Sequence, residues 1–170
     1  MATGLGIGGH TLPNQGETTI WLTPPELLEK LGRFDLDPCA APYPRPWDTA
    51  RHHIEPPEDG LKAEWFGRVW LNPPYSQNMG PWMAKMACHK SGLALIFART
   101  ETDMWHEHIW PKAHSILFLE GRLYFRRPDG SKPKSNAGGP SALISYSVGD
   151  TLVLEGLVGC EIPGKLVKLK

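Results

Sequence analysis

Arg68-Val69-Trp70-Leu71-Asn72-Pro73-Pro74-Tyr75 decides how this chain is read, because a short apolar run passes straight into two prolines. Val69, Trp70 and Leu71 carry no polar alternation, the pattern of a strand buried on both faces. Asn72-Pro73-Pro74 ends it, since a proline cannot donate to a ladder. The same grammar stands upstream, where Phe34-Asp35-Leu36-Asp37 reads as a short strand that stops at Pro38. Downstream, Gly92 leads into Leu93-Ala94-Leu95-Ile96-Phe97, a good central strand.

Helical patterns separate these strands. Thr23 suits an N-cap and Pro24 a first helical position, after which Leu27, Leu28 and Leu31 share a face until Gly32. Residues 79–90 place Trp82, Met83, Met86 and Ala87 on one side, and a further helix is expected over 103–112. The Pro- and His-dense stretch 40–58 offers one helical turn, at 47–51. Further strands are expected at Ser115–Leu119, 122–126 and 142–147. Alternating helix and continuously apolar strand predicts an open α/β sheet, mostly parallel. Ligands of such sheets bind beyond the carboxyl ends of the strands, where the strand order reverses.

The chain has 170 residues, enough for one domain with a real core, here expected over 20–148. Residues 1–19, rich in Gly, Thr and Asn, read as a flexible N-terminal arm. Gly4-Leu5-Gly6-Ile7-Gly8-Gly9 matches GxGxxG, but no strand precedes it and no amphipathic helix follows, so it fails as a dinucleotide loop. Residues 149–170 read as a C-terminal extension and a candidate hairpin. Eighteen Lys+Arg balance eighteen Asp+Glu. This argues against a protein that simply coats nucleic acid, and leaves room for an enzyme with a local basic patch. Cys39, Cys88 and Cys160 are odd in number and form no CxxC pair, which points to a reducing cytoplasm and no disulfide framework. No apolar run is long enough to span a membrane, and the first sixteen residues lack a signal-peptide pattern.

The chemistry sits at the strand ends. In Asn72-Pro73-Pro74-Tyr75 the prolines stiffen the turn and leave carbonyl oxygens as acceptors, Asn72 adds a side-chain carbonyl, and Tyr75 a flat ring. Such a turn can hold a planar amine by its N–H bonds and free the nitrogen lone pair for attack. Methylation of an amine needs that positioning, with no metal and no covalent intermediate. Asp37 at the first strand end either pairs with a cofactor ammonium or caps its turn, and Asp59-Gly60-Leu61 is either a plain turn or an acceptor for an adenine amine. His106-Glu107-His108 places its imidazoles on different helical faces, which disfavours a shared metal. Arg126, Arg127, Lys132 and Lys134 lie in a Gly-, Ser- and Pro-rich late loop that is either solvated or near phosphates.

Taken in order, these segments resemble the phage-type DNA N-6-adenine methyltransferases, the small Dam-like enzymes. Trp21-Leu22-Thr23-Pro24 looks like the family's WxTP element, and residues 34–40 like its FDLDPCA. Asp59-Gly60-Leu61 with Trp65 is similar to its DGL…W segment. Val69 to Ser76 resembles its vWxNPPYS block, with Trp82 and Lys85 following. Residues 98–102 look like its ARTDT, with Glu101 where Asp is usual, and residues 121–125 like GRLxF. The resemblance implies a Rossmann-like, S-adenosylmethionine-dependent sheet, mostly parallel, with an antiparallel C-terminal hairpin and one side reduced. It implies that Thr23 and Pro24 sit near the cofactor's methionine end and that Asp37, Pro38, Cys39 and Ala40 form the cofactor loop. Asp59 and Leu61 would contact its adenine, and Asn72, Pro73, Pro74 and Tyr75 a flipped adenine of double-stranded DNA. Arg99 and Thr100, just after the next strand, would meet the DNA backbone or brace the site, and the late loop's Arg126, Arg127, Lys132 and Lys134 are the other candidates for DNA contact. Asn-Pro-Pro-Tyr also serves methylation of RNA bases or of glutamine side chains, and a fold that kept DNA contact without catalysis is a third expectation. Neither oligomeric state nor target sequence follows from the residues.

Overall fold

The computed structural model describes residues 20–75 and 78–170. The expected arm at 1–19, with its glycine run, lies outside the described residues, as do Ser76 and Gln77. In chain order the elements are α1 (Pro25–Leu31), β1 (Leu36–Asp37), β2 (His52–His53), β3 (Val69–Leu71), α2 (Gly80–His89) and β4 (Gly92–Phe97). A π-helical turn at Trp105–Ile109 precedes β5 (Ser115–Leu119), β6 (Ser141–Ser145), α3 (Val148–Leu157) and β7 (Gly164–Lys168).

The strands form one mixed sheet in the order β2-β1-β3-β4-β6-β5-β7. β2, β1, β3 and β4 pair in parallel, whereas β6 is antiparallel to both β4 and β5, and β7 is antiparallel to β5. Five strands therefore share a direction and two oppose it. Alternate residues of the central strands feed two cores. Val69, Leu71, Ala94 and Ile96 pack with α2 and the π-helical turn, and Trp70, Leu93 and Leu95 pack with α1 and α3. Burial on both faces explains why these strands are continuously apolar.

Several local expectations are corrected. The helix at α1 starts one residue late: Pro24 occupies the N-cap, Pro25 follows, and no side chain caps the turn, so Thr23 is left outside. Residues 47–51 form bends and no helical turn. Residues 122–126 do not make a strand; only Arg126 bridges, to Leu22. The tail is not a hairpin but α3 followed by β7, which joins the same sheet beside β5. α3 is latched by Asp150, buried at its N-terminus. Its carboxylate accepts from Arg68 Nε at 2.7 Å and from the Gly92 amide at 2.8 Å. Gly92 has φ +118 and a Cβ there would sit 2.0 Å from the Val69 carbonyl, so only glycine lets β4 start against β3.

One feature of the topology matters for function. From β1 the chain goes outward to the two-residue edge strand β2, then returns to the other flank of β1 as β3 and continues to β4. The strand order reverses between β1 and β3, and a crevice opens beyond their carboxyl ends.

Candidate functional site

That crevice is a cleft of about 720 Å³. Each wall is built by a strand that stops at a proline. β1 ends in Asp37-Pro38-Cys39-Ala40, β3 ends in Asn72-Pro73-Pro74-Tyr75, and both turns line the cleft together with Thr23 and Asp59. Residues far apart in sequence, and named from separate motifs, thus face one space. Pro24 and Leu61 do not line it: Pro24 caps α1 and Leu61 packs against the core behind the wall.

Asp37 is 3% exposed. Its Oδ1 accepts from the Cys39 amide at 3.0 Å, and its Oδ2 accepts from the Thr49 hydroxyl. Burial nonetheless pushes its pKa up to about 6; the Thr49 and Cys39 hydrogen bonds and the Arg45 guanidinium pull the other way without prevailing. The Cys39 thiol donates to the Asn72 carbonyl at 3.2 Å, tying the two turns together. Burial, with the Asp37 charge beside it, pushes that thiol's pKa up and keeps it a donor.

The Asp59-Gly60 turn closes the cleft against Pro38. A Cβ on Gly60 would lie 1.7 Å from the Pro38 carbonyl oxygen, so only glycine fits there. Asp59 Oδ1 accepts from the Leu61 amide at 3.0 Å, and its other oxygen lies 3.5 Å from Lys62.

Among the described residues, three that line the cleft have a buried polar side-chain atom without a hydrogen-bond partner: Asn72 Oδ1 and Thr23 Oγ1, both acceptors, and Trp70 Nε1, a donor. The Asn72 amide is oriented by its Nδ2, which donates to the Trp21 carbonyl at 3.5 Å. Tyr75 is pinned from behind. Its hydroxyl donates to the Leu95 carbonyl at 3.0 Å, and its ring leans on Phe97, centroids 4.4 Å apart, with Phe125 edge-on at 6.1 Å. Burial drives the phenol's pKa upward, so it stays protonated.

The residues expected at the DNA backbone lie away from this space. None of Arg99, Thr100, Arg126, Arg127, Lys132 and Lys134 lines the cleft. Arg126 is ion-paired with Glu26 and hydrogen-bonded through its backbone to Leu22. Arg99 reaches over the Phe97 ring at 5.8 Å, and Lys132 over Tyr124 at 4.2 Å. Arg127 and Lys134 are exposed. Among the described residues no group of three or more His, Cys, Asp or Glu could hold a metal ion, and no helix is long and apolar enough to cross a membrane. His108 bonds Lys112, and His53 accepts from the Thr49 and Ala50 amides.

Sequence reasoning missed Thr49 and Arg45, both in the cleft wall. Arg45 donates to the Ala41 carbonyl and to Glu55, each at 2.6 Å, which folds the Pro-rich segment into place. That segment carries no periodicity, so its only signal was a carboxylate at Asp37 that would need partners if buried.

A mixed α/β sheet with its cleft at the strand-order reversal, walled by an acidic turn and an Asn-Pro-Pro-Tyr turn, is consistent with a methyltransferase-like fold. The chain matches the model of the DNA N-6-adenine-methyltransferase (Dam) family over residues 10–147, and it belongs to that family. No curated protein and no solved structure matches it.

Proposed function

We propose that this protein transfers a methyl group from S-adenosylmethionine to the N6 amine of an adenine flipped out of double-stranded DNA, on a Rossmann-like methyltransferase sheet. The observation that carries this reading is Asn72 Oδ1, a buried acceptor left unpaired at the wall of a large cleft. A buried polar atom without a partner is costly unless a ligand satisfies it. An amine N–H does so.

The donor set suits the cofactor. Asp37 offers a carboxylate to an ammonium group, Thr23 Oγ1 a free hydroxyl, and Asp59 an acceptor on the wall for an adenine amine. Pro24 and Leu61 support these from behind. Bound there, the cofactor supplies a methyl sulfonium, an electrophile that needs no further activation. The protein's task is positioning. Asn72 Oδ1 accepts one amine N–H, and the turn's carbonyl oxygens, freed by Pro73 and Pro74, take the other. Held this way the amine loses conjugation with its ring and presents its lone pair. Tyr75, braced by Phe97 and the Leu95 carbonyl, offers a fixed ring against which the flipped base stacks. The exposed Arg127, Lys132 and Lys134, with Arg99 and Thr100 beyond β4, supply phosphate contacts, whereas Arg126 contributes only if it leaves Glu26.

The test is methyl transfer from labelled cofactor to unmethylated DNA, RNA and glutamine-bearing protein in parallel. Transfer to DNA adenine alone is expected, reduced by about a thousandfold in Asn72→Ala. Label on RNA or protein only would overturn the substrate; cofactor binding without transfer to any of the three would overturn the activity.

A further inference from the structure

Helix α2 begins just beyond the Asn-Pro-Pro-Tyr turn, yet two of its side chains reach the opposite wall. Trp82 lines the cleft, its ring 3.2 Å from where a Gly60 Cβ would stand. Lys85, three residues on and so on the same helical face, directs its ammonium into the Asp59 turn. Its Nζ donates to the carbonyls of Gly60, Leu61 and Ala63 at 3.3, 2.8 and 2.5 Å. An ammonium has three N–H bonds, and all three are used. The Trp65 ring lies 5.0 Å beneath it, and Trp65 Nε1 donates to the same Gly60 carbonyl at 2.8 Å.

This turn is a single helical turn capped at both ends. Asp59 accepts at its start, with its side chain taking the Leu61 amide and its carbonyl the Lys62 and Ala63 amides. The carbonyls left over at the far end converge on Lys85. A half-buried cation that spends its whole donor capacity on one turn is built to fix that turn's position, and the turn carries the cleft wall beside Pro38.

We propose that Lys85 is a positioning residue that sets the adenine end of the cofactor site: it holds the 59–63 turn, and through it Asp59, at the depth the ligand needs. The assignment rests on the methyltransferase reading above. It separates cofactor affinity, which depends on Lys85, from methyl transfer at saturation, which does not. It also makes α2 a bracket between the wall that takes the base and the wall that takes the cofactor.

The experiment is calorimetry on wild type, Lys85→Met, Lys85→Arg and Trp65→Phe, with S-adenosylmethionine and 5′-methylthioadenosine as probes, beside kcat at saturating cofactor and thermal unfolding. Lys85→Met should weaken both probes by a similar factor, about tenfold to a hundredfold, because they share the adenosine moiety. Its kcat at saturation should stay within about threefold of wild type. Arginine keeps the charge, but its planar fork cannot meet three converging carbonyls, so Lys85→Arg should fall between. Trp65→Phe removes one donor to Gly60 and should cost about threefold to tenfold. Should Lys85→Met not fold, the ordering of the other two variants decides the matter. Equal affinity across the folded variants overturns the proposal alone, as does a fall in kcat with affinity unchanged. Wild type that binds neither probe overturns the underlying reading and this proposal together.

Discussion

The turns after β1 and β3 look alike in sequence, each a polar residue followed by proline at the end of a buried parallel strand. They are finished differently. Asp37 is met by a hydroxyl and an amide of its own chain before any ligand arrives, whereas Asn72 keeps its side-chain oxygen buried and unpaired. The difference follows from charge. A buried carboxylate must be solvated by the protein or it will not stay ionised, and even two hydrogen bonds leave Asp37 with a pKa of about 6. A neutral carbonyl costs far less to leave waiting, so the acceptor for the amine can be held open.

Asn72→Ala probes the open side and carries the largest expected effect. Methyl transfer should fall by about a thousandfold, the scale of losing one preorganised polar contact to the reacting group. Unfolding free energy should change by less than about 1 kcal/mol, because the removed oxygen had no partner in the free protein and the Nδ2 contact to the Trp21 carbonyl is long, at 3.5 Å. A large loss of stability would mean that Asn72 is structural.

Asp37→Asn probes the closed side, and there function and stability should separate. Cofactor affinity should fall by about a hundredfold as the carboxylate charge is lost. The free protein should instead gain stability at pH 7, by up to about 3 kcal/mol. The sign follows from the raised pKa: between about pH 4 and pH 6 the folded state keeps a proton that the unfolded state has released. Asp37 therefore makes wild type less stable as pH rises through that window, and the variant should lack this contribution. Denaturant titrations of both proteins at pH 4.5 and pH 7 measure it. Wild-type cofactor binding should strengthen over the same range as Asp37 ionises, and binding flat with pH would argue against pairing with an ammonium.

Gly60→Ala tests whether the two walls must touch. Its methyl group has to displace the Pro38 backbone, which should cost about 2–3 kcal/mol in a thermal or chemical melt and weaken cofactor binding as well. Tyr75→Phe is the mildest change. It removes the bond to the Leu95 carbonyl and should cost about 1 kcal/mol, with activity kept within tenfold because the ring remains.

The sheet's centre and the cleft's composition were legible in the sequence for a physical reason. Strands buried on both faces must be apolar throughout, and prolines at their ends mark where the backbone leaves the ladder, so β1, β3, β4 and both motif turns could be read from residues alone. β2 could not, since His52-His53 has neither length nor pattern and pairs only because Arg45, Thr49 and His53 fold the preceding segment back. α3 was missed because Gly149, Thr151, Val153 and Gly156 are weak helix formers. Its signal was present all the same. Ser147 caps the Asp150 amide at 3.0 Å, a Ser-x-x-Asp start that outweighs those propensities. Leu123 and Phe125 alternate like a strand, but they turn inward to pack under the cleft instead of pairing. The partner of Arg126, a hundred positions away in α1, is set by tertiary folding that no local pattern encodes.

Asp150 bears on how the molecule is assembled. The family match ends at residue 147, three positions short of the carboxylate that grips Arg68 and the Gly92 amide. Every residue lining the cleft lies at or before Trp82 in the chain, yet the starts of β3 and β4, at the far end of the strands from the cleft, are gripped by Asp150. A chain cut at the family boundary would carry the whole motif set on a sheet whose far end is unbolted.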